Sequence, residues 1–178
     1  MRPSMLFNVL ILFLFVQTSF CVSPTIKDVC SKISGGSVDY NFCVQALEAD
    51  PKSEAADVLG LAAISLKLSI ANATSIESKI MEFLKNVSDP TTKESMETCS
   101  HLYENTTITV LKQSADFIAS KNFTAAEDVI GSASIVGIIC AEELRETPLA
   151  KDCDNLSRLI FLATAVIHEI LSTIDLHF

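Results

Sequence analysis

The cysteines are the residues of this chain whose spacing most directly suggests chemistry. The midpoint of Cys30 and Cys43 falls beside the Gly35-Gly36 dipeptide, and the midpoint of Cys99 and Cys140 falls just before a predicted helix connection at Lys121 and Asn122. In an antiparallel helical hairpin, residues equidistant from the turn face each other. Each pair is therefore placed to join the two helices of one hairpin through a disulfide.

A fifth cysteine, Cys153, leaves one pairing open. Cys140 and Cys153 are also equidistant from a predicted turn, at Thr147 and Pro148. Because spacing alone does not fix disulfide connectivity, the residues permit either Cys99–Cys140 or Cys140–Cys153. As a thiol near the start of a predicted helix, Cys153 is expected to be a small buried side chain rather than a reactive one.

The other polar side chains form no catalytic pattern. No two histidines have the spacing of a metal-binding pair on a helix; the three are His101, His168 and His177. Glu142 and Glu143 are adjacent, so on a helix they point about 100° apart. We predict no catalytic residue, no cofactor and no metal, and hence a protein that is not an enzyme.

The N-terminus predicts secretion. Arg2 precedes an apolar run at residues 5–16, and the small residues Ser19 and Cys21 fit a cleavage site after Cys21. The run is too short to span about 30 Å of hydrocarbon comfortably as an anchor. We therefore predict a signal peptide at residues 1–21 and one domain at residues 22–178, in a compartment that permits disulfides.

Charge and hydropathy exclude two classes of partner. The formal net charge is −9 and no basic cluster is present, which argues against nucleic acid. The longest apolar run after the signal peptide spans nine residues, 159–167, so no membrane partner is expected after cleavage. Five N-x-S/T sequons agree with export, and Asn86 and Asn122, near predicted helix ends, are the glycosylation candidates.

Prolines preceded by Ser, Asp or Thr mark the predicted helix starts. Together with the Gly35-Gly36 turn and a capping box that begins at Thr124, they divide the domain into a short helical hairpin and four long helices: residues 25–34 and 39–49, then 54–86, 91–119, 124–145 and 149–175. Short connections predict an all-α, up-down-up-down four-helix bundle with a disulfide-stapled N-terminal hairpin.

Two segments need separate comment. In the helix at 91–119, the residues expected to face the core are Met96, Cys99, Tyr103, Val110 and Phe117. The segment 129–141 is rich in β-branched residues and contains two glycines, which is compatible with a strand. We predict a helix there because the chain offers no strand to pair with it.

Several motifs resemble segments of a known family: residues 39–47 (DYNFCVQAL), 49–53 (ADPKS), 99–103 (CSHLY), 132–134 (SAS) and 140–143 (CAEE). They are similar to the signature segments of the plant invertase and pectin methylesterase inhibitor family, over essentially the whole domain. Within that family the chain looks most similar to the branch of invertase inhibitors that includes plane-pollen allergens.

This resemblance implies a helical bundle with disulfides Cys30–Cys43 and Cys99–Cys140 and a free thiol at Cys153. It implies a secreted protein of the apoplast, or of the vacuole, that forms a complex with an enzyme and blocks it. The expected target is a cell-wall or vacuolar acid invertase (β-fructofuranosidase), and the alternative is pectin methylesterase. A secreted helical carrier or signalling protein is a further alternative, favoured by the apolar segment 129–141.

The resemblance also points to a target-binding turn. Invertase-blocking members carry Pro-Lys-Phe where this chain has Lys121, Asn122 and Phe123. Phe123 aligns, the lysine comes one residue earlier, and the proline is absent. Lys121 and Phe123 are the candidate target-binding residues. For pectin methylesterase, the resemblance instead places the contacts on the faces of the helices at 91–119 and 124–145.

Overall fold

A computed structural model describes residues 22–175. The predicted signal peptide at residues 1–21 and His177 lie outside this described part. The helical elements are α1 (Pro24–Ile33), α2 (Tyr40–Glu48), a 3-10 helix (Pro51–Ala55), α3 (Val58–Phe83), α4 (Pro90–Leu102), a π-helical segment (Tyr103–Thr107), α5 (Ile108–Ala119), α6 (Phe123–Glu143) and α7 (Ala150–Asp175).

Four long antiparallel rods form the bundle: α3, the continuous rod of α4 and α5 with the π segment between them, α6, and α7. Both α3 and α6 pack against α5 and α7, and the α1–α2 hairpin packs on α3 and α7. The connection between α3 and α4 therefore lies at one end of the bundle, and the connection between α5 and α6 at the other. The predicted all-α, up-down-up-down bundle with an N-terminal hairpin is confirmed.

Side-chain caps explain where several helices begin. Asp39, Asp57 and Asp89 each accept a hydrogen bond from the backbone N–H three residues on, at 2.9, 2.7 and 2.7 Å. Asn122 caps α6 in the same way at 3.4 Å, so this helix begins one residue before its predicted start. Such caps satisfy otherwise unpaired N–H groups and contribute about 1 kcal/mol each.

The π-helical segment changes which face of the second rod is buried. The hydroxyl of Thr107 donates to the carbonyl of Leu102, five residues back, at 3.3 Å. One extra residue in the turn rotates the rest of the rod by about 100°. After Tyr103 the buried apolar positions are consequently Leu111 and Ile118. Val110 and Phe117, which were predicted to face the core, are half-buried at its edge, one residue out of register with the fully buried positions.

The N-terminal hairpin is fixed to α7 by charged contacts. The Arg158 guanidinium donates to Asp39 at 2.6 Å and lies 3.9 Å over the ring of Phe42 at the start of α2. Near the far end of α7, Lys32 of α1 forms an ion pair with Glu169 at 3.2 Å. These contacts hold both helices of the hairpin along one bundle helix.

By length and composition alone, α3, α6 and α7 could each cross a membrane. In the fold, however, 44%, 39% and 44% of their most apolar windows are buried against the rest of the protein. Their apolar residues thus supply the bundle core.

α6 and α7 approach each other closely at Gly137. A Cβ added there would lie 2.2 Å from Ser157 Oγ, 3.1 Å from the carbonyl of Cys153 and 3.2 Å from the Ser157 amide nitrogen. Because two of these atoms are backbone, we expect Gly137→Ala to lower the free energy of unfolding by about 1–3 kcal/mol through overpacking. Equilibrium urea unfolding measures this loss.

Gly131 supplies the matched control, because it lies in the same helix with nothing within 4 Å of an added Cβ. Gly131→Ala should raise the free energy of unfolding by about 0.5–1 kcal/mol, the helix preference of alanine over glycine. Equal effects of the two substitutions would contradict the close approach at Gly137.

Candidate functional site

The candidate turn is built by the end of α5. The N–H of Asn122 donates to the carbonyl of Phe117 at 2.9 Å, and the N–H of Lys121 donates to that of Ile118 at 3.0 Å. This pair of bonds defines a Schellman motif. Its left-handed position, usually glycine, is Lys121, whose φ is 59°. The motif therefore holds the lysine in a defined position at the end of the bundle.

The three residues of this turn differ in what they expose. Lys121 and Asn122 are exposed, and within the described part of the chain Lys121 takes part in no ion pair. Phe123 is half-buried and packs against the core. The turn thus offers an ammonium group and only part of an aromatic ring to a partner. The roles of Lys121 and Phe123 in target binding stay predictions.

Two disulfides staple the scaffold. Cys30 is joined to Cys43 and Cys99 to Cys140, each with a Cα–Cα distance of 5.7 Å. The first joins α1 to α2, and the second joins α4 to α6. The hydroxyl of Ser95 also donates to Glu143 at 3.1 Å, one helix turn beyond the second disulfide. The pairing is that implied by the family resemblance.

Cys153 is a buried free thiol at the start of α7. It lies beside the hydroxyl of Tyr103, which is also buried. Burial raises the pKa of the Cys153 thiol above its usual value, and it raises the pKa of Tyr103 as well. Both groups are therefore held neutral in an apolar setting.

Cys153 should consequently resist alkylation in the folded protein. At pH 8, iodoacetamide is expected to leave it unmodified under native conditions and to modify it fully in denaturant, because only the exposed thiolate reacts. Mass spectrometry of the intact chain counts the modified thiols. If Cys153 in the native protein were fully labelled as fast as a small-molecule thiol, that result would contradict its burial.

The possible catalytic groups in the described part of the chain make ordinary surface contacts. His168 Nδ1 lies 2.8 Å from Glu127 Oε1, and His101 Nδ1 lies 2.6 Å from the amide of Asn105. Glu142 pairs with Arg145 at 2.6 Å. Across residues 22–175, no three His, Cys, Asp or Glu side chains are grouped as metal ligands.

The apolar segment 129–141 lies within α6, and its side chains divide between core and surface. Ile130, Val136 and Cys140 belong to the core. Three isoleucines face outward, with exposed fractions of 57%, 51% and 43% for Ile135, Ile138 and Ile139. The exposure of three of the largest side chains in this segment was not predicted from the sequence. We call these three residues the α6 isoleucine patch.

The turn, the disulfides and the α6 isoleucine patch indicate a rigid helical protein that binds another macromolecule, but they do not identify that macromolecule. A stapled helical bundle presents a fixed cationic turn and an apolar patch, both suited to contact with another macromolecule. The solved structure of a pectin methylesterase inhibitor from Arabidopsis (mutant form A) shares this fold with a TM-score of 0.70. The two are 19% identical, and the match covers 82% of this chain and 97% of that one.

Sequence comparison supplies the family. The family described as "Plant invertase/pectin methylesterase inhibitor" matches residues 24–166, and the chain belongs to it. The chain is 32% identical over 165 residues to a "Putative invertase inhibitor" of Platanus acerifolia, covering 90% of each. It is 29% identical over 148 residues to a "Pectinesterase inhibitor" of Actinidia deliciosa, covering 82% of this chain and 79% of the relative. Members of this family inhibit enzymes and are not enzymes themselves.

Proposed function

We propose that this chain is a secreted protein that forms a complex with a plant acid invertase, a β-fructofuranosidase, and blocks it in the cell wall or the vacuole. The observation that carries the proposal is the exposed Lys121 ammonium, held by a Schellman motif at one end of the bundle. Similarity to the Platanus acerifolia relative supports the choice of invertase over other enzymes.

The proposed mechanism is occlusion of the active-site cleft by the turn. Retaining glycosidases hold two carboxylates about 5 Å apart across the scissile bond. The Lys121 ammonium would pair with these carboxylates. The exposed part of the Phe123 ring would cover the apolar face of a sugar subsite. The Schellman motif fixes the backbone beforehand, so little conformational entropy is lost when the turn enters the cleft.

A second candidate function is inhibition of pectin methylesterase, and the α6 isoleucine patch favours it. Exposed apolar side chains clustered on one helix commonly mark a protein interface. The family resemblance places contacts with this enzyme on the faces of the second and third bundle helices, and the patch lies on the third. Similarity to the Actinidia deliciosa relative also supports this candidate.

Parallel inhibition assays test the two candidates. Purified acid invertase and pectin methylesterase are each titrated with the deglycosylated protein, so that a sugar at Asn122 cannot hide the turn. We expect loss of invertase activity with stoichiometric complex formation by gel filtration. Inhibition of pectin methylesterase alone would transfer the function to the second candidate, and inhibition of neither enzyme would contradict both.

A further inference from the structure

Five sequons lie in the described part of the chain and occupy different local structures; their asparagines are Asn72, Asn86, Asn105, Asn122 and Asn155. An N-glycan is bulky and must project into solvent from the side-chain nitrogen Nδ2. An acceptor asparagine therefore needs a free amide and an open setting in the folded protein, which a surface loop provides. The structure distinguishes the sequons on these terms.

Two sequons lie inside the helical rods, where the side chain of the asparagine is either partly buried or hydrogen-bonded. The Oδ1 of Asn72, in the middle of α3, is buried and has no hydrogen-bond partner in residues 22–175. The Nδ2 of Asn105 lies 2.6 Å from the ring Nδ1 of His101 and donates to its carbonyl at 3.2 Å. A sugar on Nδ2 of Asn105 would replace one of these two contacts.

In two other sequons the asparagine is exposed, but the residues that follow it are helical. Asn155 is exposed within α7, and its sequon residue Ser157 is buried against Gly137. Asn122 caps α6 through Oδ1, which leaves Nδ2 available, but the two sequon residues after it are helical. Neither asparagine lies in an irregular connection with its whole sequon.

The whole sequon of Asn86 lies in the connection between α3 and α4. Asn86 occupies an exposed turn, and Val87 and Ser88 have no helical structure. Its backbone N–H donates to the carbonyl of Phe83 at 3.0 Å, which fixes the main chain, and its side chain makes no hydrogen bond within the described part. We propose that Asn86 carries an N-linked glycan, projecting from the bundle end opposite Lys121.

The modification is a glycosyl transfer that the chain meets in the secretory pathway, as the predicted signal peptide requires. The amide nitrogen of Asn86 forms a bond to the anomeric carbon of a polyisoprenyl diphosphate-linked oligosaccharide. The bond between that carbon and the diphosphate oxygen breaks, and the diphosphate leaves with the electron pair. The amide nitrogen gives up one proton, which the departing diphosphate accepts, so no oxidant or reductant is needed.

The test expresses the full chain in plant cells and releases the glycans with an amidase in H2(18)O. The amidase converts each occupied asparagine to aspartate labelled with 18O, which peptide mass spectrometry detects. We expect label at Asn86 and none at Asn72. In the intact protein, Ser88→Ala should remove one glycan and Ser88→Thr should retain it, because threonine preserves the sequon.

Opposite results would overturn the proposal. These are an unlabelled Asn86 in the expressed protein, or an unchanged number of glycans in Ser88→Ala. A chain that carries no glycan because it never enters the secretory pathway would also overturn it. Asn122→Gln serves as the comparison variant, since it removes the other exposed helix-end sequon without touching the connection between α3 and α4.

Discussion

Replacing Cys99 and Cys140 together with alanine should lower the free energy of unfolding by about 4 kcal/mol. This disulfide joins residues separated by 41 positions, and in the chain-entropy account the stabilisation grows with the logarithm of loop length. The Cys30–Cys43 disulfide spans 13 positions, so its removal should cost about 3 kcal/mol. Equilibrium urea unfolding of the two double variants measures both losses.

Double variants are needed because a single substitution would leave a thiol able to pair with Cys153. Cys153→Ala is the control: it deletes one buried sulfur and closes no loop, so about 1 kcal/mol or somewhat more is expected. A greater loss from Cys30→Ala/Cys43→Ala than from Cys99→Ala/Cys140→Ala would contradict the loop-length account. It would show that docking of the hairpin on α7 dominates instead.

Much of this fold could be predicted because its signals are local. Asp39, Asp57 and Asp89 are caps that act on a backbone N–H only three residues away. A capped start followed by an apolar stripe specifies a helix without reference to the rest of the chain. Short connections then leave an antiparallel bundle as the simplest arrangement.

The register of the second rod could not be predicted because it depends on packing between rods. The π-helical segment adds a residue after Tyr103, so that Leu111 and Ile118 rather than Val110 and Phe117 enter the core. A regular helical period continued through this segment therefore places the later residues on the wrong face. The run of β-branched residues at 106–110 is the one local signal of irregularity.

The candidate site was predictable in position but not in geometry. The helix connection at Lys121 follows from the predicted helix end at residue 119 and the predicted helix start at residue 124. The sequence did not predict that Lys121 itself takes the left-handed position of a Schellman motif, because that position usually holds glycine. Packing of Phe123 against the core was also not predicted, since the family resemblance pointed to this residue only as a candidate for target binding.

Lys121→Ala should weaken inhibition of acid invertase strongly, if the proposed occlusion is correct. Removing one partner of a buried charge pair leaves the enzyme carboxylates without their cation. The expected loss is about 2–5 kcal/mol of binding free energy, or roughly 30-fold to several thousand-fold in the inhibition constant. Lys121→Arg should retain most of the affinity, and Lys85→Ala, at the opposite end of the bundle, should change nothing.

Lys121→Gly separates loss of the cation from damage to the turn. Glycine removes the strain of a left-handed non-glycine residue, which raises the free energy of unfolding by about 1–2 kcal/mol. It also makes the unfolded chain more flexible, which lowers the free energy of unfolding by about 0.4–1 kcal/mol. The free energy of unfolding should therefore rise by about 0.5–1 kcal/mol while inhibition falls as far as in Lys121→Ala. Phe123→Ala is less clean, because its half-buried ring also stabilises the fold, so its inhibition constant must be read beside its unfolding curve.

The pH dependence supplies an independent readout of the same charge pair. As pH falls, protonation of the enzyme carboxylates removes the negative partner, so inhibition by the wild-type protein should weaken. Inhibition by Lys121→Gly, which has no cation to lose, should change much less over the same range. If both Lys121→Ala and Lys121→Gly inhibit invertase as well as the wild type at every pH, the turn lies outside the interface, and the α6 isoleucine patch becomes the surface to test.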